Sequence, residues 1–185
     1  MTLTQTTTPC CLGTFEGFNH RDQSAIEAVL TADEVIAWNH DERGEAEFWP
    51  SGDAPALSGI FSRHVTGPEL LAVRRLVEEV GGDEEIVLLR IQFVCTVLGE
   101  DLRELTVDAL DDQQPSIFFG RNRWDVRKEA AYELFETFWP EQYKAWEQDS
   151  LGILRFDWED FIDSPMWVTL EVSLGEREVL LVLPA

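Results

Sequence analysis

The chain has 185 residues, of which 36 are acidic and 14 basic, giving a formal net charge of -22 at pH 7. Such a negative surface repels phosphates and anionic lipid headgroups, so direct binding to nucleic acid or to membranes is disfavoured, whereas basic proteins and cations are attracted. The 44% apolar content, with seven Trp and eleven Phe, predicts a packed core, and no apolar run approaches the ~18 residues of a membrane span.

The N-terminal segment, residues 1–13, is rich in Thr and lacks the basic start and apolar stretch of a signal peptide, which indicates a flexible tail. Residues 14–185 are predicted to form a single domain. Cys10 and Cys11 are neighbours in the tail, and Cys95 lies in an apolar pattern. An odd number of cysteines placed in this way argues against a disulfide framework and predicts a cytoplasmic location.

The first elements are a helix over 23–31, which Asp22 can cap, and two strands over 34–38 and 45–49. The polar segment 39–44 joins these strands as a hairpin. In an alternative interpretation, the first helix extends to Trp38. A loop rich in Pro, Gly, Ser and Ala follows at 50–59.

A helix is predicted over 67–80, because Pro68 suits a first turn and Gly81-Gly82 can end the helix. Residues 86–98 alternate between apolar and polar side chains, which predicts a strand, and 102–110 can return antiparallel to it. Another loop is predicted over 111–116.

A long helix is predicted from residue 123 to 139, where Pro140 breaks it, with a further turn or two over 141–148. Three strands follow, at 152–158, 166–174 and 177–183. The fold class is therefore α+β, a mainly antiparallel sheet of about five to seven strands with about three helices packed on it.

No pattern of catalytic or metal-binding residues stands out. His20, His40 and His64 match no spacing of metal ligands, and the chain has no HExxH, CxxC, GxSxG or P-loop motif. We therefore predict no catalytic residue, no metal site and no cofactor. The acids between 157 and 163 surround Trp158 and are interpreted either as a cleft for a sugar or cation or as a solvated turn.

A short basic segment interrupts the acidic background. It comprises Arg121, Arg123, Arg127 and Lys128, near the predicted start of the long helix. Free backbone amides at a helix start also favour anions, so one hypothesis is an anion or docking site. The other is that these bases form ion pairs with acids of the same chain.

The same helix carries an acidic stripe, formed by Asp125, Glu129, Glu133 and Glu136 at spacings of four, four and three residues. Like charges at this spacing cost a few tenths of a kcal/mol each. We interpret the stripe either as a partner-binding surface or as an ordinary solvated face. A nucleic-acid mimic would need a second acidic row, for which Glu141, Glu147 and Asp149 are candidates.

The favoured function is a non-catalytic binding or inhibitory module for a basic partner protein, with a nucleic-acid mimic and an immunity-like factor as two forms of it. A second hypothesis attributes the acidity to a saline or high-GC background, since only Lys128 and Lys144 are lysines among fourteen bases. A third is an enzymatic or small-molecule domain with an aromatic pocket. Its candidate lining residues are Trp38, Trp49, Trp124, Trp146, Trp158 and Trp167.

Overall fold

The structure is a computed structural model that describes residues 35–40, 46–50 and 65–185. The chain divides into two compact units, the first ending at Gln113 and the second running from Gln114 to Ala185. The predicted tail and the helix predicted over 23–31 lie outside the described residues. The assignment of residues 14–185 to one domain stays a prediction.

The strands of the first unit form a three-stranded antiparallel sheet in the order β1-β2-β3. Trp38 lies opposite Phe48 in the β1-β2 ladder, as in the predicted hairpin, and the alternative of a helix reaching Trp38 is wrong. The strands are β1 (Val35–His40), β2 (Ala46–Pro50) and β3 (Val65–Thr66).

Three helices follow in the first unit. The first has the bounds that Pro68 and the Gly81-Gly82 pair predict, and it buries Val73 and Leu76. The second continues into a turn of π-helix, Val94–Leu98. The helices are α1 (Gly67–Val80), α2 (Glu84–Phe93) and α3 (Val107–Asp112).

The strand predicted over 86–98 is wrong, because this segment is helical. Asp83 caps α2, and its carboxylate accepts hydrogen bonds from the backbone N–H groups of Glu85 and Ile86. The helix buries three consecutive residues, and Leu88 is buried as fully as Val87 and Leu89 of the alternating pattern. Where consecutive apolar residues are buried, the apolar period does not distinguish helix from strand, whereas the cap at Asp83 does.

The return strand predicted over 102–110 is also wrong. Asp101 accepts a hydrogen bond from the backbone N–H of Arg103, which turns the chain, and Thr106 then caps α3 by accepting from Ala109 N. A side chain that satisfies a free helical N–H favours a helix start over a continuing strand.

The second unit contains a three-stranded antiparallel sheet in the order β4-β6-β5. A tight turn at Gly175, which has a positive φ of 62°, joins β5 to β6 as predicted. The elements are β4 (Ser116–Gly120), α4 (Arg123–Phe138), α5 (Pro140–Glu147), α6 (Trp158–Ile162), β5 (Trp167–Leu174) and β6 (Arg177–Pro184).

Helices α4 and α6 pack on one face of this sheet. Leu180 lies opposite both Phe118 on β4 and Glu171 on β5, so these three side chains share that face. Leu180 is fully buried in a core that includes Ala130 of α4 and Ile162 of α6. The strand predicted over 152–158 is wrong, since this segment is a loop that leads into α6.

The predicted single sheet of five to seven strands is therefore wrong. The described residues contain six α-helices and two separate three-stranded sheets, in a mixed α+β arrangement. The excess of predicted strands came from three apolar segments that the structure places in helices or loops, while β4 was not predicted. Among the described helices none is both long and apolar enough to cross a membrane.

Candidate functional site on helix α4

Helix α4 begins where β4 ends, and its start is fixed in two ways. Asn122 caps the helix: its side-chain oxygen accepts from Asp125 N, and its amide donates to the Asp125 carboxylate. Gly120 allows the end of β4 to lie close to α4, because a Cβ at this position would be only 2.9 Å from the Cβ of Val126. The first turn of α4 therefore packs closely against the end of β4.

Two residues of the basic segment form ion pairs within the second unit. Arg127 donates to Glu171 on β5 and to Asp163 after α6, both at 2.5 Å. Arg123 contacts the other oxygen of Glu171 at 2.5 Å. The Arg127 side chain is only 15% exposed. Burial acts to lower its pKa, but the hydrogen bonds and charges of Asp163 and Glu171 raise it overall.

The intramolecular interpretation therefore holds for Arg123 and Arg127. Arg121 and Lys128 are both exposed, and the described residues provide no ion pair for either of them. An anion or docking role for the basic segment stays a prediction, and the side chains still available for it are Arg121 and Lys128.

The acidic stripe lies on a different face of α4. Its members, Asp125, Glu129, Glu133 and Glu136, are all exposed, and none pairs with a base in the described part of the chain. The buried face of α4 comprises Val126, Ala130, Ala131 and Leu134, whereas Phe138, in the last turn, is 47% exposed.

Helix α5 packs on α4 at Tyr143, whose ring contacts Phe135 of α4 with centroids 5.7 Å apart. Limited burial of the phenol and the nearby carboxylates of Glu136 and Glu147 raise the pKa of Tyr143 above its ordinary value. Glu141 and Glu147 are also exposed on α5, as a second acidic row requires.

An aromatic cluster, which the sequence did not reveal as a unit, holds α4, α5 and the following loop together. Phe156 stacks on Phe135 with ring centroids 4.3 Å apart and also contacts Tyr132 at 5.3 Å. Tyr132 in turn contacts Trp146 of α5. Aromatic residues at irregular spacing give no periodic signal, so only the packed structure reveals this cluster.

Two of the tryptophans proposed to line a pocket do so. Trp124 and Trp158 meet nearly edge-on, with centroids 4.5 Å apart and an interplanar angle of 88°. They border an open cleft of about 300 Å³, whose other lining residues are Arg123, Arg127, Glu159 and Asp163. Trp146 and Trp167 pack in ring contacts instead, and the side chains of Trp38 and Trp49 lie outside the described residues.

The charges that line this cleft cancel. The two positive charges, of Arg123 and Arg127, equal the two negative charges, of Glu159 and Asp163. Glu171 does not line the cleft but pairs with both arginines, and counting its charge gives a local net charge of -1. The cleft is therefore unsuited to an anion such as phosphate. The indole faces and the adjacent carboxylates are chemically suited to a cation.

Within the described residues, no group of three or more His, Cys, Asp or Glu side chains is arranged to hold a metal ion. His20 and His64 lie outside the described residues, and the side chain of His40, at the end of β1, is not described. Cys95 lies in the π-helical turn, where burial and nearby carboxylates raise its pKa to about 11. A thiol with this pKa is a poor nucleophile at neutral pH.

The second unit is thus a small α+β fold, a three-stranded antiparallel sheet with helices on one face and an acidic stripe exposed on the longest helix. Comparisons of the chain with known protein families, with curated proteins and with solved structures found no match.

Proposed function

We propose that the protein is a non-catalytic binding module that engages a basic partner protein through the acidic stripe of α4. One observation supports this proposal above all. The arginines of α4 turn to Glu171 and Asp163, whereas the four acids on another face of the same helix have no basic partner in the described part of the chain.

The electrostatics favour a cationic partner. Residues 114–185 contain 14 acids and seven bases, a net charge of -7. With a rise of 1.5 Å per residue, stripe charges four residues apart are separated by about 6 Å along the axis. A partner that places Lys or Arg against the stripe relieves this repulsion, and its association is fast and weakened by salt.

An inhibitory role, of the immunity type or by mimicry of nucleic acid, is the more specific form of this proposal. One DNA strand carries a phosphate about every 3.4 Å, so a single stripe has roughly half that density. Glu141 and Glu147, which are exposed on α5, are candidates for the second acidic row that such mimicry requires. We expect the protein to act in the cytoplasm, as its cysteine content suggests.

The test compares two triple variants with the same net charge. Glu129→Gln, Glu133→Gln and Glu136→Gln remove the stripe, while Glu78→Gln, Glu79→Gln and Glu104→Gln remove three exposed acids of the first unit. Binding of a fluorescently labelled oligolysine peptide is measured by anisotropy at 50 and 300 mM NaCl. We expect the stripe variant to bind at least ten-fold more weakly, and the control variant to bind nearly as tightly as the parent.

Equal losses in both triple variants would show that only the overall charge attracts the peptide, and the stripe would then have no special role. A melting temperature that rises steeply in molar KCl would instead support salt adaptation as the origin of the acidity.

A further inference from the structure

Three aliphatic side chains are exposed in the loop between α5 and α6. Leu151 is 79% exposed, Ile153 73% and Leu154 49%. We call residues 151–154 the apolar loop. Isolated apolar residues on a surface are common, but three within four positions form a patch of the kind that marks interaction sites.

The backbone of the apolar loop is held around one carboxylate. Asp149 accepts hydrogen bonds from Leu151 N at 3.1 Å and from Leu154 N at 2.5 Å. Gly152 adopts a φ of 65°, which allows the tight turn between these two donors. The backbone amides thus turn toward Asp149 while the aliphatic side chains remain in solvent. A loop ordered in advance loses less entropy when it binds a partner.

The apolar loop lies close to the acidic stripe. Phe156, two residues beyond the loop, packs on Tyr132 and Phe135 of α4. Tyr132 is three residues after Glu129 and four before Glu136, the spacings at which side chains are neighbours on a helix surface. On the other side of the loop, Tyr143 of α5 contacts Phe135 of α4 with ring centroids 5.7 Å apart. The segments that flank the loop on both sides therefore pack on α4, the helix that carries the stripe.

From this arrangement we propose that the apolar loop and the acidic stripe form one docking surface for a cationic amphipathic segment of the partner. The inference rests on the proposed function and names the kind of partner. The aliphatic side of the segment would cover Leu151, Ile153 and Leu154, and its Lys or Arg side would face the stripe.

The charge around the loop selects this occupant. Residues 140–157 contain four acids and two bases, Lys144 and Arg155, a net charge of -2, and the stripe adds four negative charges. A second copy of the chain, itself at -22, would be repelled, and so would an anionic membrane. A purely apolar partner would leave the stripe desolvated and unpaired at its edge.

The experiment uses three labelled peptides as probes: a Leu/Lys peptide with an apolar helical face, a scrambled peptide of the same composition, and oligolysine. We expect the parent protein to bind the amphipathic peptide at least ten-fold more tightly than the scrambled one. The double variant Leu151→Ser, Ile153→Ser should lose this preference, with oligolysine binding unchanged. Met166→Gln, which removes an exposed apolar side chain outside the loop, is the control and should retain the preference.

A second variant tests the role of the loop conformation. Asp149→Asn weakens the acceptor for the loop amides, and Glu176→Gln, in the exposed turn between β5 and β6, removes one negative charge outside both the loop and the stripe. We expect only Asp149→Asn to reduce the preference for the amphipathic peptide, by several-fold. Circular dichroism confirms that each variant remains folded.

The outcomes separate the two proposals. Equal binding of the amphipathic and scrambled peptides, or an unchanged preference in the loop variant, would overturn this inference while leaving the acidic module intact. Failure of all three peptides to bind at 50 mM NaCl would overturn the proposed function together with it. Dimerisation of the protein lost in the loop variant would identify a second copy as the occupant instead.

Discussion

Helix α4 has two charged faces, and they differ in whether their charges form ion pairs within the protein. On one face, Arg123 and Arg127 are neutralised by Glu171 and Asp163, which ties the helix to β5 and to the end of α6. On the other face, the acidic stripe extends from Asp125 to Glu136 without a basic partner in the described part of the chain. Charges of the first kind stabilise the fold, whereas charges of the second kind oppose it slightly and are open to a ligand.

The largest expected effect is on the paired face. Replacing Arg127→Met leaves Glu171 and Asp163 without a shared cation in a partly buried position. Because Arg123 still pairs with Glu171, we expect a loss of about 2 to 3 kcal/mol rather than the full cost of breaking a buried pair. Denaturant unfolding measures the change.

Lys128→Met is the matched control, since it removes the same charge from the next residue, which is exposed. Its effect should stay within about 0.5 kcal/mol. Equal effects of the two substitutions would show that the ion pairs of Arg127 contribute no more than general charge balance.

A second change tests the close contact between the end of β4 and the first turn of α4, the helix that carries both faces. Gly120→Ala places a methyl group 2.9 Å from Val126 Cβ and 3.1 Å from its backbone nitrogen. Because backbone atoms must move, we expect a loss of about 1 to 2 kcal/mol in unfolding experiments. Ser116→Ala, at the exposed start of β4, is the control, and a stability of Gly120→Ala equal to that control would contradict the close packing.

Removing a charge from the stripe should increase the stability of the fold, whereas the two changes above decrease it. Glu133→Gln relieves repulsion from Glu129 and Glu136, so the free energy of unfolding should rise by about 0.3 to 0.5 kcal/mol. The denaturation midpoint should accordingly increase at low salt and converge with that of the parent protein in 1 M NaCl. A lower midpoint would reveal a stabilising contact of Glu133 and remove the distinction between the two faces.

The smallest effect concerns the apolar loop beside the stripe. Backbone hydrogen bonds, chiefly from Leu154 N, lower the pKa of Asp149 below its ordinary 3.8. A depressed carboxyl pKa stabilises the folded loop above pH 3.8, and this stabilisation is lost as the pH falls through the lowered value. Amide hydrogen exchange at Leu151 and Leu154, corrected for its intrinsic pH dependence, should therefore be slow above pH 3.8. It should accelerate as the pH falls through the lowered pKa of Asp149.

Local signals in the sequence predicted several elements well. Pro68 and the Gly81-Gly82 pair gave the bounds of α1, and the turn at Gly175 gave the β5-β6 hairpin, because each rests on backbone conformations that few residues adopt. Periodicity failed over 86–98, because a run of consecutive buried apolar residues is compatible with both a helix and a strand. There the cap at Asp83 was the better signal.

The sequence by itself also determined the acidity of the chain and the alignment of the stripe along one helix, since both follow from composition and from the period of an α-helix. Only the tertiary structure decided which charges are used internally. Arg127 and Glu171 are 44 residues apart, and their pairing depends on how α4 packs on the sheet. The same packing, through Phe156 and Tyr132, brings the apolar loop beside the stripe, because contacts between distant segments are set by the fold and not by local sequence.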